Sequence, residues 1–369
     1  KFAIIPEFSE FILRINLIKL KRKIMKTILS PSQRMFILIT SVFISICLIS
    51  FNSHPFLSCQ KINNVTTKDS IVPWSFPDIS SIPNNEEGDL IRQGRLIFIH
   101  TYNYIGPDVK IESKRFAGTN MDCSNCHFKG GTIKNVLGLV GVYNKYPQFD
   151  PRSNKEITIQ QRINSCLMRS MNGKPMPENT EEMTALASYI KWLSTNVPKG
   201  TKVLDQGLPK ISLIDRAADT AKGRFVFMRN CTTCHAENGT GVLNSTVLNP
   251  NQSDSAKGYN YPPVMGNTSY NNGAGMYRLI MSTAFIYTKM PYNDAILSLE
   301  DAYDVAAYIN SRPRSEFAGV SKDYPDLKSK PIDYPFGPYA DNFTEEQHKY
   351  GPYLPMLKEG EKSKMFKPE

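Results

Sequence analysis

The stretch "CSNCH" occupies residues 123–127, and the same pattern recurs as "CTTCH" at residues 231–235. A Cys-x-x-Cys-His run is the attachment signature of a c-type haem. Its two thiols add to the haem vinyl groups, and the histidine that follows becomes the proximal iron ligand. The sequence therefore predicts two covalently attached haems, bound by Cys123, Cys126 and His127 in the first motif and by Cys231, Cys234 and His235 in the second.

Two other kinds of site use a Cys-x-x-Cys pair: a redox-active dithiol and half of a zinc site. A thioredoxin-like dithiol needs a βαβ context, which neither motif has. Zinc would require the two pairs to converge from separate domains. Histidine directly after both pairs favours haem in both places.

Both motifs lie inside a longer internal repeat. "GRLIF" at 94–98 matches "GRFVF" at 223–227, and each has the apolar spacing of an amphipathic helix ahead of its haem motif. After the motifs, "GKPMP" and then "ALASYIKWL" in the first half parallel "YTKMP" and then "DVAAYINSR" in the second. Each half therefore predicts a helix, a haem motif, a loop, a Met-Pro pair and a last helix. That last helix is expected to be capped by Asn179 or Thr180 in the first half and by Ser298 in the second.

This order predicts an all-α protein built from two tandem class I-type cytochrome c domains with irregular loops and an extended C-terminal tail. The first half carries 21 extra residues between its Gly-Arg pair and its first haem cysteine. The second half carries a polar stretch at 244–263 that is typical of a surface loop, and a linker rich in Pro, Gly and Lys covers 194–210. The expected divisions are a leader region at 1–59, the first domain with the catalytic haem at 60–200, the second domain with the electron-transfer haem at 201–318, and an irregular tail at 319–369.

The amino-terminal region has the pattern of an export signal. A basic stretch at 19–34 precedes an apolar run at 35–50 that is short for a membrane span. The first methionine is Met25, so residues 1–24 are a candidate for sequence upstream of the true start. Because c-type haem is attached outside the cytoplasm, we expect a periplasmic protein. Its leader is expected to be cleaved, kept as an anchor, or replaced by a lipid on Cys59.

The net charge is concentrated in this leader. The chain of 369 residues has a formal charge of +10, of which residues 1–34 supply +6 through eight Lys or Arg and two Glu. The remaining 335 residues carry only +4, and about four propionate groups on two haems would offset that charge. The basic balance therefore does not indicate nucleic acid, and we expect none as a partner.

The sixth ligand of each iron separates an electron carrier from a catalyst. In the second half, Met290 occupies the Met-Pro position typical of small cytochromes c, and neutral Lys289 beside it is an alternative ligand that would exchange with it. Histidine is scarce: His54 lies beside the leader and His348 in the tail. This leaves His100, whose place on the first predicted helix favours a surface role.

In the first half two residues compete for the sixth position. Met176 stands where Met290 does, and Cys166 lies ten residues upstream without a cysteine partner nearby. An unpaired thiol in an oxidising compartment is a liability unless it is used. If the surrounding segment is helical, Arg162 and Arg169 share a face with Cys166, where they would stabilise a thiolate and bind an oxyanion. These arguments favour Cys166 and leave Met176 as the alternative.

Three segments closely resemble the dihaem thiosulfate dehydrogenases that form tetrathionate. They are "FAGTNMDCSNCH", "YPQFDPRSNKEITIQQRINSCLMRSMNGKPMP" and "TKMP", and the resemblance extends from about Gly88 to Arg312. It implies a catalytic first haem with His127 and Cys166 as ligands. It also implies a second haem with His235 and Met290, or Lys289 as the alternate, that passes electrons to an external cytochrome c or similar acceptor. The polar stretch before Tyr261 and the long tail depart from the family.

The implied reaction joins two thiosulfate dianions, which repel each other and so require a cationic pocket. Arg162, Arg169 and Arg115 are the expected members, with Lys129 as a further candidate. Cys166 would leave the iron and bond to a sulfane sulfur, and the second thiosulfate would then release tetrathionate. The same enzyme would also work in reverse as a tetrathionate reductase.

Two other functions stay open from the sequence. One is a dihaem electron carrier without chemistry of its own, in which Met176 binds the first haem and Cys166 is a packing residue. The other is a sulfur-oxidising c-type enzyme that acts on a carrier-bound sulfur. The ligand of the first haem distinguishes the simple carrier from both enzymes.

Overall fold

The computed structural model describes residues 70–244 and 257–363, with side chains to residue 359. The predicted leader, Met25, His54 and Cys59 lie outside the described residues, as does most of the polar stretch at 244–263. Within the described ranges, every helix is too short or too polar to span a membrane. The helices are α1 Glu86–Ile99, α2 Thr101–Ile105, α3 Phe128–Gly131, α4 Ile159–Arg169, α5 Glu181–Trp192, α6 Thr220–Asn230, α7 Thr232–His235, α8 Leu279–Lys289, α9 Leu299–Ser311, α10 Glu345–Tyr350 and α11 Leu354–Ser363.

Strands in these described ranges are few and short, and they form three two-stranded pairs. The strands are β1 Ile71–Val72, β2 Gln148–Asp150, β3 Lys155–Ile157, β4 Lys202–Val203, β5 Val242–Leu243 and β6 Tyr259–Tyr261. β2 with β3 and β5 with β6 are antiparallel, whereas β1 with β4 is parallel. Because β4 pairs with β1 and Val203 packs on Val140 and Val197, residues 202–203 are attached to the first domain, just past the predicted boundary at 200.

Two helix pairs repeat the same packing. α1 packs against α5, and α6 packs against α9. At each crossing a glycine lets the backbones meet: a Cβ on Gly94 would lie 1.9 Å from the carbonyl oxygen of Ala185, and one on Gly223 would lie 1.9 Å from that of Asp304. The glycines are the first residues of the repeated Gly-Arg segments. The repeat therefore reflects two copies of one helix crossing.

The caps of the last helices agree with the sequence. The Thr180 hydroxyl accepts a hydrogen bond from the Met183 amide at 3.3 Å at the start of α5. The Ser298 hydroxyl accepts one from the Asp301 amide at 3.0 Å at the start of α9. Both bonds satisfy donors that the first turn of a helix leaves unpaired. The prediction of these two helices and their caps is confirmed.

Each helix pair encloses its own apolar core, and a third cluster joins them. The first core includes Met176 and Met183, and the second includes Phe227 and Met356. In the joining cluster, Phe128 contacts the ring of Phe285 on α8 at a centroid distance of 5.5 Å. Phe128 directly follows the histidine of the first motif. This contact brings the first motif against the second domain.

The tail differs from the irregular segment that the sequence predicts. It ends in α10 and α11, and it buries Tyr334, Tyr353 and Met356. α10 is capped by Thr344, whose hydroxyl accepts a hydrogen bond from the Gln347 amide at 3.1 Å. The apolar residues of the tail thus complete the second core.

Candidate functional site

The first haem motif begins as a 3-10 turn, Cys123–Asn125, and is fixed at its start by a capping box. The Asn125 side chain accepts a hydrogen bond from the Asp122 amide at 2.7 Å. The Thr101 hydroxyl donates to the Cys123 sulfur at 3.3 Å and accepts from the Cys123 amide at 3.1 Å. Burial raises the pKa of Cys123 to about 12 and that of Cys126 to about 11. Both cysteines are free thiols held on an ordered turn.

The second motif repeats this arrangement. Cys231 precedes the one-turn helix α7, which holds Cys234 and ends at His235. The His235 amide donates to the Cys231 carbonyl at 2.8 Å, and in the first motif the His127 amide donates to the Cys123 carbonyl at 3.0 Å. The two copies therefore present two thiols and one imidazole from the same local turn.

Both motif histidines are oriented by a backbone carbonyl. His127 Nδ1 is hydrogen-bonded to the Leu137 carbonyl, and His235 Nδ1 to the Pro262 carbonyl at 2.8 Å. A carbonyl only accepts, so Nδ1 carries the proton and Nε2 keeps its lone pair. Burial lowers the pKa of His127 to about 4 and lowers that of His235, so both rings are neutral at pH 7.

These features fit a covalently attached haem at each motif. The four motif cysteines are free and half-buried, as thioether formation requires. Each neighbouring histidine offers a bare Nε2, which is the donor that a proximal ligand needs. Nothing in either turn has to change for the two thiols and the imidazole to act together.

The helix α4 carries the unpaired cysteine that the sequence singled out. A capping box of Thr158 and Gln161 starts the helix. The segment is therefore helical, which was the condition for Arg162 and Arg169 to share a face with Cys166. Cys166 is a free, half-buried thiol, and it lies close enough to Cys123 and Cys126 for electrostatic interaction with it to add to the effect of burial on their pKa values. Cys166 therefore lies beside the first haem motif.

The alternative ligand, Met176, occupies a different environment. It is fully buried in the first apolar core, at 0% exposure. Its backbone amide donates to the Asn164 side-chain oxygen at 2.7 Å, and the Asn164 amide group donates to its carbonyl at 2.9 Å. Met176 is thus enclosed in the first core, whereas Cys166 is only half-buried.

Arg162 is the arginine that the structure brings to Cys166. The charge of Cys166 is the main reason that the pKa of Arg162 is raised, and Tyr146 and Asp150 add to it. Arg162 keeps accessible surface although it is surrounded by these groups and is hydrogen-bonded to Tyr146. A cation that is both close to the thiol and accessible can bind an incoming anion.

Arg169, the second arginine expected in the anion pocket, is engaged elsewhere. It is only 9% exposed, and its guanidinium donates two hydrogen bonds to Asp323 of the tail, at 2.8 and 2.6 Å. The Phe317 ring packs on it at 4.1 Å. In this structure the charge of Arg169 is therefore paired with Asp323, unlike that of Arg162.

The remaining candidates of the first domain lie in other contacts. Arg115 Nε donates to the Val109 carbonyl at 2.7 Å, which holds the inserted segment before the first motif. Lys129 is exposed and has a positive φ of 49° in the turn after His127. His100 ends α1, and its ring contacts Tyr102 edge-on at 6.3 Å.

The distal side of the second domain is built at the end of α8. Met290 directly follows this helix and is half-buried against the second core and the joining cluster. Lys289 Nζ donates to the Lys134 carbonyl of the first domain at 3.1 Å, and burial lowers its pKa. The lysine thus contributes to the contact between domains in this structure.

Sequence reasoning did not identify the residues that surround α4 from outside its own segment. Tyr146 lies near Arg162 and Cys166, and Asp323 pairs with Arg169. Asn271 of the second domain binds the end of α4, where its amide group donates to the Met168 carbonyl at 2.8 Å. Tyr146 opens a segment that the family resemblance covers, whereas Asn271 and Asp323 have no local sequence signal.

Comparisons with known families agree with the two-domain architecture. Residues 113–198 match the family model described as "SoxA/TsdA, cytochrome c domain". Residues 220–313 match the family model described as "Cytochrome c". The predicted all-α fold of two tandem cytochrome c domains is confirmed, and the chain carries two covalently attached c-type haems.

Individual proteins similar to this chain share one name. A thiosulfate dehydrogenase of Stutzerimonas stutzeri is 33% identical over 241 residues, which cover 65% of this chain and 72% of that protein. A thiosulfate dehydrogenase of Allochromatium vinosum is 32% identical over 257 residues, covering 68% of this chain and 88% of that protein. Among solved structures, the thiosulfate dehydrogenase TsdBA of Marichromatium purpuratum matches with a TM-score of 0.58 and 28% identity, over 66% of this chain and only 50% of that chain.

Proposed function

The chain belongs to the thiosulfate dehydrogenase family, and we propose that it oxidises two thiosulfate ions to one tetrathionate and passes the electrons to an external acceptor. The observation that carries this proposal is the position of Cys166, beside the first haem motif and next to an exposed arginine. A pure electron carrier needs neither a reactive thiol nor an anion-binding cation at that place.

The two haem motifs provide the redox centres. Cys123 and Cys126 would hold the first haem with His127 as proximal ligand, and the second motif would hold the other haem in the same way with His235. When bound, the haems supply one-electron redox chemistry, which a two-electron sulfur oxidation needs twice. The hydrogen bonds on Nδ1 keep both imidazoles in the ligating tautomer.

The distal ligands follow from burial and position. Cys166 is half-buried beside the first motif, whereas Met176 is enclosed in the core, which supports Cys166. On the second haem, Met290 is the proposed ligand and Lys289 the alternate. Lys289 would first have to release the Lys134 carbonyl. The first haem would thus have a reactive ligand and the second a redox-stable one.

Arg162 is the proposed binding residue for the thiosulfate dianion. A single exposed guanidinium beside the thiol offsets the repulsion between an incoming dianion and the thiolate. Tyr146 lies in the same group and can donate its hydroxyl to a sulfonate oxygen. Arg115 Nε is hydrogen-bonded to the Val109 carbonyl and Lys129 is exposed in the turn after His127, so this proposal gives both a secondary part in anion binding.

The chemistry balances around Cys166. In the first step the Cys166 thiolate and one thiosulfate form a sulfur–sulfur bond, which gives a cysteine S-thiosulfonate and releases two electrons. In the second step another thiosulfate attacks the sulfane sulfur of this adduct, the bond to Cys166 breaks, and tetrathionate leaves. The thiolate is regenerated, and no proton is consumed. The reverse sequence would reduce tetrathionate.

The surroundings of the reaction follow from the cofactor. Since c-type haem is attached outside the cytoplasm, we place the enzyme in the periplasm, either free or held there by its leader or a lipid. A small external cytochrome c is the proposed acceptor, because the second domain carries no proposed substrate group and is free to exchange electrons at its surface.

The test is thiosulfate-dependent reduction of ferricyanide by the haem-loaded protein, with tetrathionate quantified. Cys166→Gly should abolish turnover and leave both haems attached. Met176→Leu is the matched control, because it should keep activity and the spectrum of the first haem. Full activity in Cys166→Gly would overturn this mechanism. No turnover in the parent protein with both haems attached, together with a changed spectrum in Met176→Leu, would instead establish an electron carrier with a Met176 ligand.

A further inference from the structure

The C-terminal tail places two buried carboxylates against the second domain and the end of α4. Asp323 and Asp333 are ten residues apart, and they are 6% and 1% exposed. Each forms an ion pair with an arginine outside the tail: Asp323 with Arg169 and, at the longer distance of 3.9 Å, with Arg152, and Asp333 with Arg278. Buried ion pairs fix geometry more than they add stability, so these two contacts point to positioning roles.

The Asp323 pair lies at the end of the helix that carries Cys166. Arg169 is three residues after Cys166 on α4, and both of its terminal nitrogens donate to the two oxygens of Asp323. The Tyr334 hydroxyl, also from the tail, donates to Asp323 at 2.6 Å. A bidentate pair of this kind restricts both distance and rotation, so it limits how α4 can turn about its axis.

The same end of α4 is held by the second domain. The carbonyl of Met168 accepts a hydrogen bond from the Asn271 side chain at 2.8 Å, and that of Arg169 accepts one from the Asn271 amide at 3.1 Å. The last carbonyls of a helix have no partner within it. The last turn of α4, where Cys166 lies, is therefore completed from outside the first domain.

The Asp333 pair lies at the start of the helix that leads to Met290. Arg278 is the N-cap residue of α8, and its Nε and one terminal nitrogen donate to one oxygen of Asp333 at 2.8 and 2.6 Å. The other oxygen accepts a hydrogen bond from the Ile280 amide at 2.9 Å. A carboxylate at a helix N-terminus also interacts favourably with the helix dipole. Asp333 thus fixes the helix whose end presents Met290.

We propose that the tail residues 319–359 form a strap that positions the distal ligands of both haems, with Asp323 acting on Cys166 through Arg169 and Asp333 acting on Met290 through Arg278. This proposal rests on the proposed function, because the ligand roles of Cys166 and Met290 come from it. The two carboxylates are positioning residues and contact neither substrate nor iron. Each should affect its own haem.

Three tail variants test the strap in the haem-loaded protein. They are Asp323→Asn, Asp333→Asn and the matched control Asp341→Asn. Asp341 is also a buried tail carboxylate, but it pairs at 3.0 Å with His348 of the tail itself and holds neither distal helix. The readouts are the electron paramagnetic resonance signal of thiolate-ligated ferric haem, the charge-transfer band of methionine-ligated ferric haem, and steady-state thiosulfate oxidation.

Asp323→Asn should shift or broaden the thiolate signal and leave the methionine band unchanged. Its kcat should fall by about tenfold to a hundredfold, the cost of a small misplacement of a reacting group, with a smaller change in KM. Asp333→Asn should weaken the methionine band and leave the thiolate signal unchanged. Asp341→Asn should alter neither signal.

Asp323→Asn leaves Arg169 buried without its charged partner, which destabilises the fold. The double variant Arg169→Met with Asp323→Leu removes both charges, which buried ion pairs often tolerate. It should fold and still show the altered thiolate signal. Equal changes of both signals in all three single variants, or an unchanged thiolate signal in the double variant, would overturn the strap.

Failure of the proposed function would be seen in other samples. Cys166→Gly with an unchanged signal from the first haem would refute the Cys166 ligand, whatever the tail variants do. If Cys166→Gly loses the thiolate signal and turnover while both signals stay unchanged in Asp323→Asn and Asp333→Asn, the strap is refuted and the proposed function stands.

Discussion

The two haem domains share a scaffold and differ where the sixth iron ligand is expected. Gly94 and Gly223 make the same close backbone contact with the last helix of their domains. A Cβ added to either glycine would lie 1.9 Å from a backbone carbonyl oxygen of that helix. His127 and His235 are both oriented by a backbone carbonyl. These common features concern the attachment and enclosure of a haem, which both domains must achieve.

The distal sides have little in common. In the first domain a half-buried thiol sits on a helix beside an exposed arginine, and in the second a methionine follows the end of a helix. The described part of the second domain has no thiol next to an arginine at the corresponding place. If Cys166 and Met290 bind iron as proposed, one duplicated scaffold separates chemistry from electron transfer through the residues on its distal sides.

The largest effect is expected where the scaffold is most constrained. Gly94→Ala and Gly223→Ala each force a Cβ against a backbone carbonyl that cannot rotate aside, so each should lower the free energy of unfolding by about 3 kcal/mol or more. Haem content should fall mainly in the affected domain. Thermal unfolding and the haem-to-protein absorbance ratio measure both effects.

Gly207→Ala is the control for these glycine variants, because a Cβ there meets nothing within 4 Å. It should unfold like the parent. If Gly94→Ala and Gly223→Ala differed strongly in unfolding free energy, the two helix crossings would not impose the same constraint. The two domains would then not share one scaffold.

The next largest effect is expected from the arginine beside Cys166, which has no counterpart among the proposed ligands of the second domain. Arg162→Gln should reduce kcat/KM for thiosulfate by about a hundredfold, as removal of one charge-stabilising group in an active site commonly does. Arg312→Gln neutralises an exposed arginine of the second domain, near the ring of Tyr308, and should change kcat/KM less than twofold, or about 0.4 kcal/mol. Steady-state kinetics at fixed ionic strength compares the two. Similar losses in both would indicate a general charge effect on the dianion.

The local features of both domains could be predicted from the sequence. The haem motifs, the Gly-Arg repeats and the caps Thr180 and Ser298 are short patterns whose physical reason lies within a few residues. Even the helical phase of Cys166, Arg162 and Arg169 follows from spacing once α4 forms. The same reasoning applied to Thr344 and Gln347 would have found α10, since a Thr followed three residues later by Gln is a capping signal.

The partners of those residues could not be predicted. Arg169 and Asp323 are 154 residues apart, and Asn271 lies 103 residues from Met168. Nothing in a helical pattern tells whether an arginine faces substrate or a distant carboxylate. Burial decides this, and burial depends on where the tail returns. The sequence therefore predicted the fold more completely than the surroundings of the proposed site.

A smaller effect should separate the domains at high pH. Burial raises the pKa of tyrosines in both domains, to about 12 for Tyr102 and Tyr189 in the first domain. The shifts are larger for four tyrosines of the second domain and tail, Tyr303, Tyr334, Tyr339 and Tyr353. The folded pKa values of these tyrosines lie above the unfolded value of about 10. The stability that their neutral forms contribute is therefore complete below pH 10 and is lost as the pH rises through the folded values. Each such tyrosine should contribute a slope of up to about 1.4 kcal/mol per pH unit. Hydrogen exchange should show the second domain and tail opening first.

Tyr339→Phe tests this origin of the alkaline loss. The Tyr339 hydroxyl is buried without a hydrogen-bond partner among the described residues, so its removal should not weaken the fold at pH 7. The variant should lose stability less steeply above pH 10 than the parent. An unchanged slope would mean that the raised pKa of Tyr339 does not contribute to the difference between the domains.

The smallest effect is expected on the exposed faces of the first helices, where the domains should again behave alike. Arg92 pairs with Asp89 on α1 at 2.7 Å, and Lys222 pairs with Asp219 on α6 at 3.9 Å, each three residues apart. Arg92→Ala should change the free energy of unfolding by less than about 0.5 kcal/mol, because solvent screens the pair and ordering the long side chain costs entropy. Lys222→Ala should have no larger effect in urea titrations. A clear loss of unfolding free energy in only one of the two variants would show that the domains differ in the contribution of these surface ion pairs as well as at their distal sides. The features that the two domains share would then be limited to the glycine crossings and the orientation of the motif histidines.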